Sequence, residues 1–179
     1  MIEDGRVLDV ILLFLYLKRM NKVDINLIAD YTVLELHKKD IDIIPLQLQK
    51  LLYYIQAWHM VYFGRENTLF DEVPKAFMCG AIYPTIYKRY EQINTYSFIP
   101  LPNISSLKDL NLEEEQYQFL DSIYEHYGEM SHDRLVQLNF NSQPWYEQRE
   151  GLKPFEASDR EISLDSMYSF YKKRLKHGA

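Results

Sequence analysis

Apolar residues recur at helical spacing along much of the chain, and one stretch carries more of them than any other. From Leu46 to Met60, the residues Leu48, Leu51, Leu52, Ile55, Trp58, His59 and, just beyond, Tyr62 fall at intervals of three and four. Tyr53, Tyr54, Ala57 and Met60 leave little of the other side polar. A helix apolar nearly all round must be covered on several faces, so this stretch predicts the central helix of one small domain. Pro45 suits its first turn, whereas Ile44 offers no capping oxygen.

The remaining pattern predicts shorter elements around that helix. Val7 to Tyr16 is an apolar run broken by Asp9, too short to span a bilayer and without the features of a signal peptide. It predicts an extra N-terminal helix within residues 1–22, packed on a domain formed by 23–179; the alternative is a dimer or partner contact. Asp24 can cap a second helix with Ile25, Leu27, Ile28, Tyr31 and Leu34 inward, ending near His37. After Gly64, the segment Phe70 to Met78 reads as extended, with Pro74 confining it to an edge. Gly80 and Pro84 bracket a turn before a short helix, and Ser97 to Ser106 is a loop or a second short strand. Further helices are predicted over Leu112–Tyr127, after Ser131, and after Ser163, with Asn139 to Trp145 as a turn-forming stretch. The fold class is mainly α: a single compact helical domain around a buried central helix, with a short strand or hairpin near residues 70–100.

Composition narrows this picture. The 179 residues are 47% hydrophobic, enough for one domain to bury a core without disulfides or metal. The single Cys79 and the lack of zinc-like Cys/His spacing favour a reducing, cytoplasmic setting. A net charge of −6 argues against phosphate-backbone binding as the main activity. The basic tail Lys172 to His177 is explained by the dipole at a helix C-terminus. Tyrosine is abundant, at 15 residues, and suits half-buried positions and interfaces.

Catalytic patterns are weak by comparison. His126 and His132 with Asp133 match no catalytic spacing, and Asp71 and Glu72 point to opposite sides of an extended segment. His59 reads as a satisfied core histidine, Cys79 as an ordinary free cysteine, and no phosphate-binding glycine loop occurs. The expectation is a non-enzyme without metal or cofactor.

Several stretches together resemble a known family. Leu48-Gln49-Lys50-Leu51-Leu52-Tyr53-Tyr54, Gly64, Leu69-Phe70-Asp71-Glu72, Ala76-Phe77, Gly80, Pro84, Ile86-Tyr87 and the distant Pro144-Trp145 look like the Panacea domain, which includes phage-associated GepA-like proteins and SocA-like antitoxins. The resemblance runs from about Asp24 to Leu175, and its signature positions are Leu48, Lys50, Leu51, Tyr53, Gly80, Pro84 and Pro144. Two places depart from the family pattern. Gly80-Ala81-Ile82 replaces the family's Gly-Pro-Val, and Asn139-Phe140 replaces its Thr-His, which removes any role for that histidine here.

The resemblance implies an antitoxin-like or phage-associated interaction protein that neutralises a cognate toxin by direct protein–protein binding. Its energy would be concentrated in a few aromatic anchors, and Tyr83, Tyr87, Trp145 and Tyr146 are the candidates. Trp145 reads equally as a core plug, and Lys50 as the partner of an acid such as Asp71 or Glu72. The expected partners are the toxin and, through the N-terminal helix, a second copy of the chain. The alternative function is a nucleic-acid-binding regulator or an uncharacterised enzyme on the same fold.

Overall fold

The computed structural model describes residues 19–177 except Thr95. The helix expected over residues 7–16 lies outside them. Helix α1 spans Ile25–His37, and Asp24 Oδ1 accepts the Asn26 N–H at 2.7 Å to open it. Helix α2 spans Pro45–Phe63, followed by the strands β1 (Lys75–Phe77) and β2 (Gly80–Ile82). Then come α3 (Pro84–Arg89), a 3-10 turn (Ile104–Asp109), α4 (Glu114–Tyr127), α5 (His132–Phe140), α6 (Gln143–Arg149) and α7 (Leu164–His177). Among the described residues, seven helices and one small antiparallel hairpin make a mainly helical domain, as the apolar pattern predicts.

Helix α2 is the axis of the packing. It touches α1, α3, α4, α5, α7 and β2. Its side chains from Leu48 to Ala57 are all buried. Ile44 indeed supplies no cap, and Gln47 Oε1 instead accepts the Ile44 N–H at 3.1 Å. An aromatic cluster fixes the C-terminal helix: Tyr54 stacks on Tyr127 at 4.5 Å, and the Tyr171 ring meets Tyr53, Tyr54 and Trp58 edge-on.

The helix is nevertheless not apolar all round, because Gln49, Lys50, Gln56 and His59 are buried in it. They bond to the segment that follows the helix. Gln56 Oε1 accepts the Leu69 N–H at 2.8 Å, and its Nε2 donates to Phe70 O at 2.8 Å. Gln49 grips Tyr83 likewise, its Oε1 accepting the Tyr83 N–H at 2.7 Å and its Nε2 donating to Tyr83 O at 3.3 Å. His59 Nδ1 donates to Asn67 O at 2.7 Å, which leaves Nε2 to accept from Gln116 Nε2 at 2.9 Å. His59 is therefore a satisfied core histidine, and burial pulls its pKa down to about 4. Residues 67–83 contain little regular structure of their own, and these side chains supply the backbone partners that a neighbouring strand would otherwise give.

The hairpin is short, with Phe77 opposite Gly80, Ala76 opposite Ala81 and Lys75 opposite Ile82. The outer edge of β1 is covered by the chain before α7: the Ala76 N–H donates to Arg160 O, and the Ile162 N–H to Pro74 O, both at 2.8 Å. Gly80 lies in β2 rather than in a bracketing turn. The stretch from Asn139 to Trp145 also differs from expectation. Asn139 and Phe140 finish α5, and Pro144 with Trp145 opens α6, where a proline in the first turn costs no hydrogen bond. Ser97 to Asn103 is irregular chain leading into the 3-10 turn.

Replacing Gln56 with leucine would leave a buried N–H and a buried carbonyl unpaired, and a loss of about 2–4 kcal/mol is expected. Gln47→Ala, removing a half-buried bond at the helix start, should cost about 1 kcal/mol. Urea unfolding of the two variants side by side measures the difference; equal, small losses would show that the amide clamp contributes little.

Candidate functional site

The hairpin carries a row of aromatic rings on its outer side. Glu72 Oε1 accepts the Thr85 N–H at 2.9 Å and so holds the first turn of α3 against the chain entering β1. That contact places the Tyr87 ring 5.5 Å from Phe77. On the other side of Phe77, Trp145 Nε1 donates to the Phe77 carbonyl at 2.9 Å, and its ring lies 4.7 Å from Phe140. The ring pairs Tyr87–Phe77 and Trp145–Phe140, linked by the bond from the indole to the Phe77 carbonyl, thus form a strip across α3, β1, α6 and α5. Tyr87 is 43% and Phe140 39% exposed, and Tyr146, next to Trp145 in the chain, is 67% exposed.

Under the strip, the Lys50 side chain ends at the hairpin. It is fully buried, its Nζ donates to Ala81 O at 3.0 Å, and Asn139 Oδ1 accepts the Ala81 N–H at 2.7 Å. The backbone of β2 is therefore bonded on its outer edge by side chains from α2 and α5. Gly80 makes this approach possible: a Cβ there would stand 2.5 Å from Asn139 Oδ1 and 2.8 Å from Lys50 Nζ, at a φ of +101°. Beside it, Tyr53 and Ser142 share a hydroxyl–hydroxyl bond at 3.0 Å. Trp145 is held from its own helix as well. The Arg149 guanidinium lies 5.8 Å from the indole and donates to the carbonyls of Ala76, Lys153, Pro154 and Glu156, tying the loop after α6 to β1.

Burial without an acid drives the Lys50 ammonium pKa down to about 7, with the neighbouring Cys79 thiol opposing the shift. The expected ion pair with Asp71 or Glu72 does not form. Asp71 accepts from Lys22 at 2.6 Å, and Glu72 caps α3. The partner of Lys50 is a backbone carbonyl, which sequence spacing does not reveal.

Of the expected anchors, Tyr87, Trp145 and Tyr146 lie on or beside one surface. Tyr83 does not: it is fully buried, with its ring 5.1 Å from Phe70, and burial holds its hydroxyl well above the usual tyrosine pKa. The glycine turn and the aromatic strip share the hairpin, but Tyr83 follows β2 into the core. The signature positions Leu48, Leu51 and Tyr53 are buried on α2, Lys50 meets Gly80, and Pro84 and Pro144 open α3 and α6. Phe77 and Phe140 complete the strip, and nothing in their spacing distinguishes them from core residues.

The groups considered for catalysis are dispersed. His126 is exposed on α4, His132 is half-buried at the start of α5, and Cys79 is half-buried at the hairpin turn. Among the described residues, no cluster of three or more His, Cys, Asp or Glu side chains could hold a metal ion, and no helix is long and apolar enough to cross a membrane.

These features define a helical domain that presents an aromatic surface on a hairpin braced from below by buried polar side chains. The family model for the SocA-like antitoxin, Panacea domain matches residues 48–146, more than half of the chain and the whole span from α2 to the aromatic strip. The chain belongs to this family. No curated protein and no solved structure matches it.

Gly80→Ala should destabilise the protein by at least about 2 kcal/mol, from backbone strain and displacement of Lys50 and Asn139. A melting temperature unchanged from wild type would refute the contact. The lysine gives a separate pH signature. Its folded pKa is depressed from 10.5 to about 7, so between these values the unfolded chain holds a proton that the native chain lacks, and stability rises with pH through that window. Wild type should gain up to about 1.4 kcal/mol per pH unit relative to Lys50→Met between pH 7 and 9.5. Parallel curves from denaturant titrations at each pH would show that Lys50 does not titrate there.

Proposed function

We propose that this chain is an antitoxin-like interaction protein that neutralises a cognate toxin by direct contact, without a catalytic step of its own and without metal or cofactor. The observation that carries the reading is the aromatic strip. Two ring pairs from four elements, Tyr87 with Phe77 and Trp145 with Phe140, are joined by the indole's bond to the Phe77 carbonyl, and Tyr146 beside them is largely exposed. Rigid Tyr and Trp side chains held this way lose little freedom on binding and suit the centre of a protein interface. Family membership supports the same reading, since the family description is that of an antitoxin-like domain.

In this reading the work of neutralisation is occlusion. The toxin covers the strip, Tyr87 and Tyr146 offer hydroxyls at its margin, and Trp145 is already fixed in place by its bond to the Phe77 carbonyl. The clamp beneath the hairpin keeps this surface preformed, so binding energy is not spent on ordering it.

The test is co-expression with the product of the adjacent gene. A stable complex and rescue of growth are expected, and Tyr87→Ala combined with Tyr146→Ala should weaken binding at least about tenfold, because two anchors are lost. Both side chains are exposed, so the melting temperature should hold. A neighbour that is harmless alone and forms no complex, or a complex indifferent to the double substitution, would sink the proposal.

A further inference from the structure

A second apolar feature lies away from the strip. A groove of about 510 Å³ runs between α2, α4 and α7, lined chiefly by Trp58, Tyr62, Phe63, Phe119, Ile123 and Leu175. At its rim Tyr62 is 65% and Leu175 49% exposed. The groove follows α4 from Glu115 to Tyr127, about 18 Å at 1.5 Å per residue.

The α4 side of the groove is acidic. The helix carries Glu114, Glu115, Asp121 and Glu125 and no lysine or arginine. Glu114, Gln118, Asp121 and Glu125 follow one another at spacings of four, three and four, so they form one row, and Gln118 places that row on the lip of the groove. All four are exposed. Glu114 accepts from Gln118 at 3.2 Å, and among the described residues none of the three carboxylates in the row forms an ion pair. The same field reaches α1: after burial, the carboxylates of Glu35 and Asp121 are what raise the Tyr31 hydroxyl above the usual tyrosine pKa. Across the groove, Leu175 follows Lys172, Lys173 and Arg174 in the chain. The groove is thus apolar along its floor, acidic along α4 and basic where α7 ends.

We propose that the groove is a docking site for an amphipathic helix of a partner protein, with apolar side chains in the groove and lysines or arginines on the flank that lies along α4. Anchors at i, i+3 or i+4 and i+7 match its length and shape. Charge selects this occupant. A second copy docked in a two-fold arrangement would bring its own α4 carboxylates against these, and an anionic lipid surface would meet the same repulsion. The cations that precede Leu175 keep the basic flank of the partner on the α4 side. This contact lies apart from the aromatic strip and stands whether or not the strip binds a toxin.

The probe is a helical peptide of about eighteen residues with leucine and phenylalanine on one face and lysines along one adjoining flank, beside a control with glutamates at the lysine positions. Titration calorimetry on the full chain should show saturable binding of the lysine peptide, at least about tenfold tighter than the control and weaker as salt is raised from ~50 to ~500 mM. Asp121→Lys combined with Glu125→Lys should reverse the preference, and Tyr62→Ala should weaken the lysine peptide at least about tenfold. These side chains are exposed, so the melting temperature should hold. Absence of saturable binding, equal affinity for the two peptides, or a preference that survives the charge reversal would overturn the proposal. A concentration-dependent dimer that Tyr62→Ala dissolves would overturn it in favour of a second copy in the groove.

Discussion

The domain depends on an exchange of backbone partners for side-chain partners. Seventeen residues, 67–83, cross the buried surface of α2 with only two three-residue strands among them. Backbone groups in that position must be paired, and each one left unpaired costs about 1–3 kcal/mol. Gln56, Gln49, Lys50, Asn139 and His59 meet the requirement, each from a position where an apolar side chain would pack equally well but leave a peptide group unsatisfied. An amide side chain presents a donor and an acceptor side by side, as a peptide does, and Gln49 and Gln56 use both. The helix thereby acts as the axis of the apolar packing and as one edge of a sheet.

This arrangement explains why the hairpin can be so small and still present a surface. A three-residue pair of strands has little independent stability. Here β1 is bonded on its far side by the chain around Arg160 and Ile162, and β2 by Lys50 and Asn139. Neither edge is left for pairing with another strand, so contacts made by this region fall to side chains, and to the rings of Tyr87, Phe77, Trp145 and Phe140 in particular.

Much of the fold is legible in the sequence, for a definite reason. Long helices announce themselves by apolar spacing, and α1, α2, α4 and α7 follow it; Asp24 and Ser131 act as caps where their side chains suggest. The boundaries fail where two signals compete. Asn139 to Trp145 is rich in turn formers, yet Asn139 is buried and bonded to Ala81, which draws it into the end of α5. The surface is half legible. Tyr87 and Tyr146 are exposed, whereas Tyr83 goes inward because the residue after a buried strand follows the sheet into the core. The lysine is the clearest limit: a charge on an apolar helix suggests an acid nearby, and only three-dimensional proximity shows that a carbonyl and a glycine receive it.

The two tryptophans are distributed so that each belongs to a different half of this construction. Trp58 lies 5.2 Å from Tyr171 and donates to the Tyr127 hydroxyl at 2.8 Å, inside the ring cluster that joins α2, α4 and α7. Trp145 belongs to the hairpin surface and is bonded to the Phe77 carbonyl. A protein with one indole in each place carries two built-in optical probes. Emission from Trp58 follows the docking of the C-terminal helix, that from Trp145 follows the surroundings of the hairpin surface, and substituting either one separates the two signals without an external label.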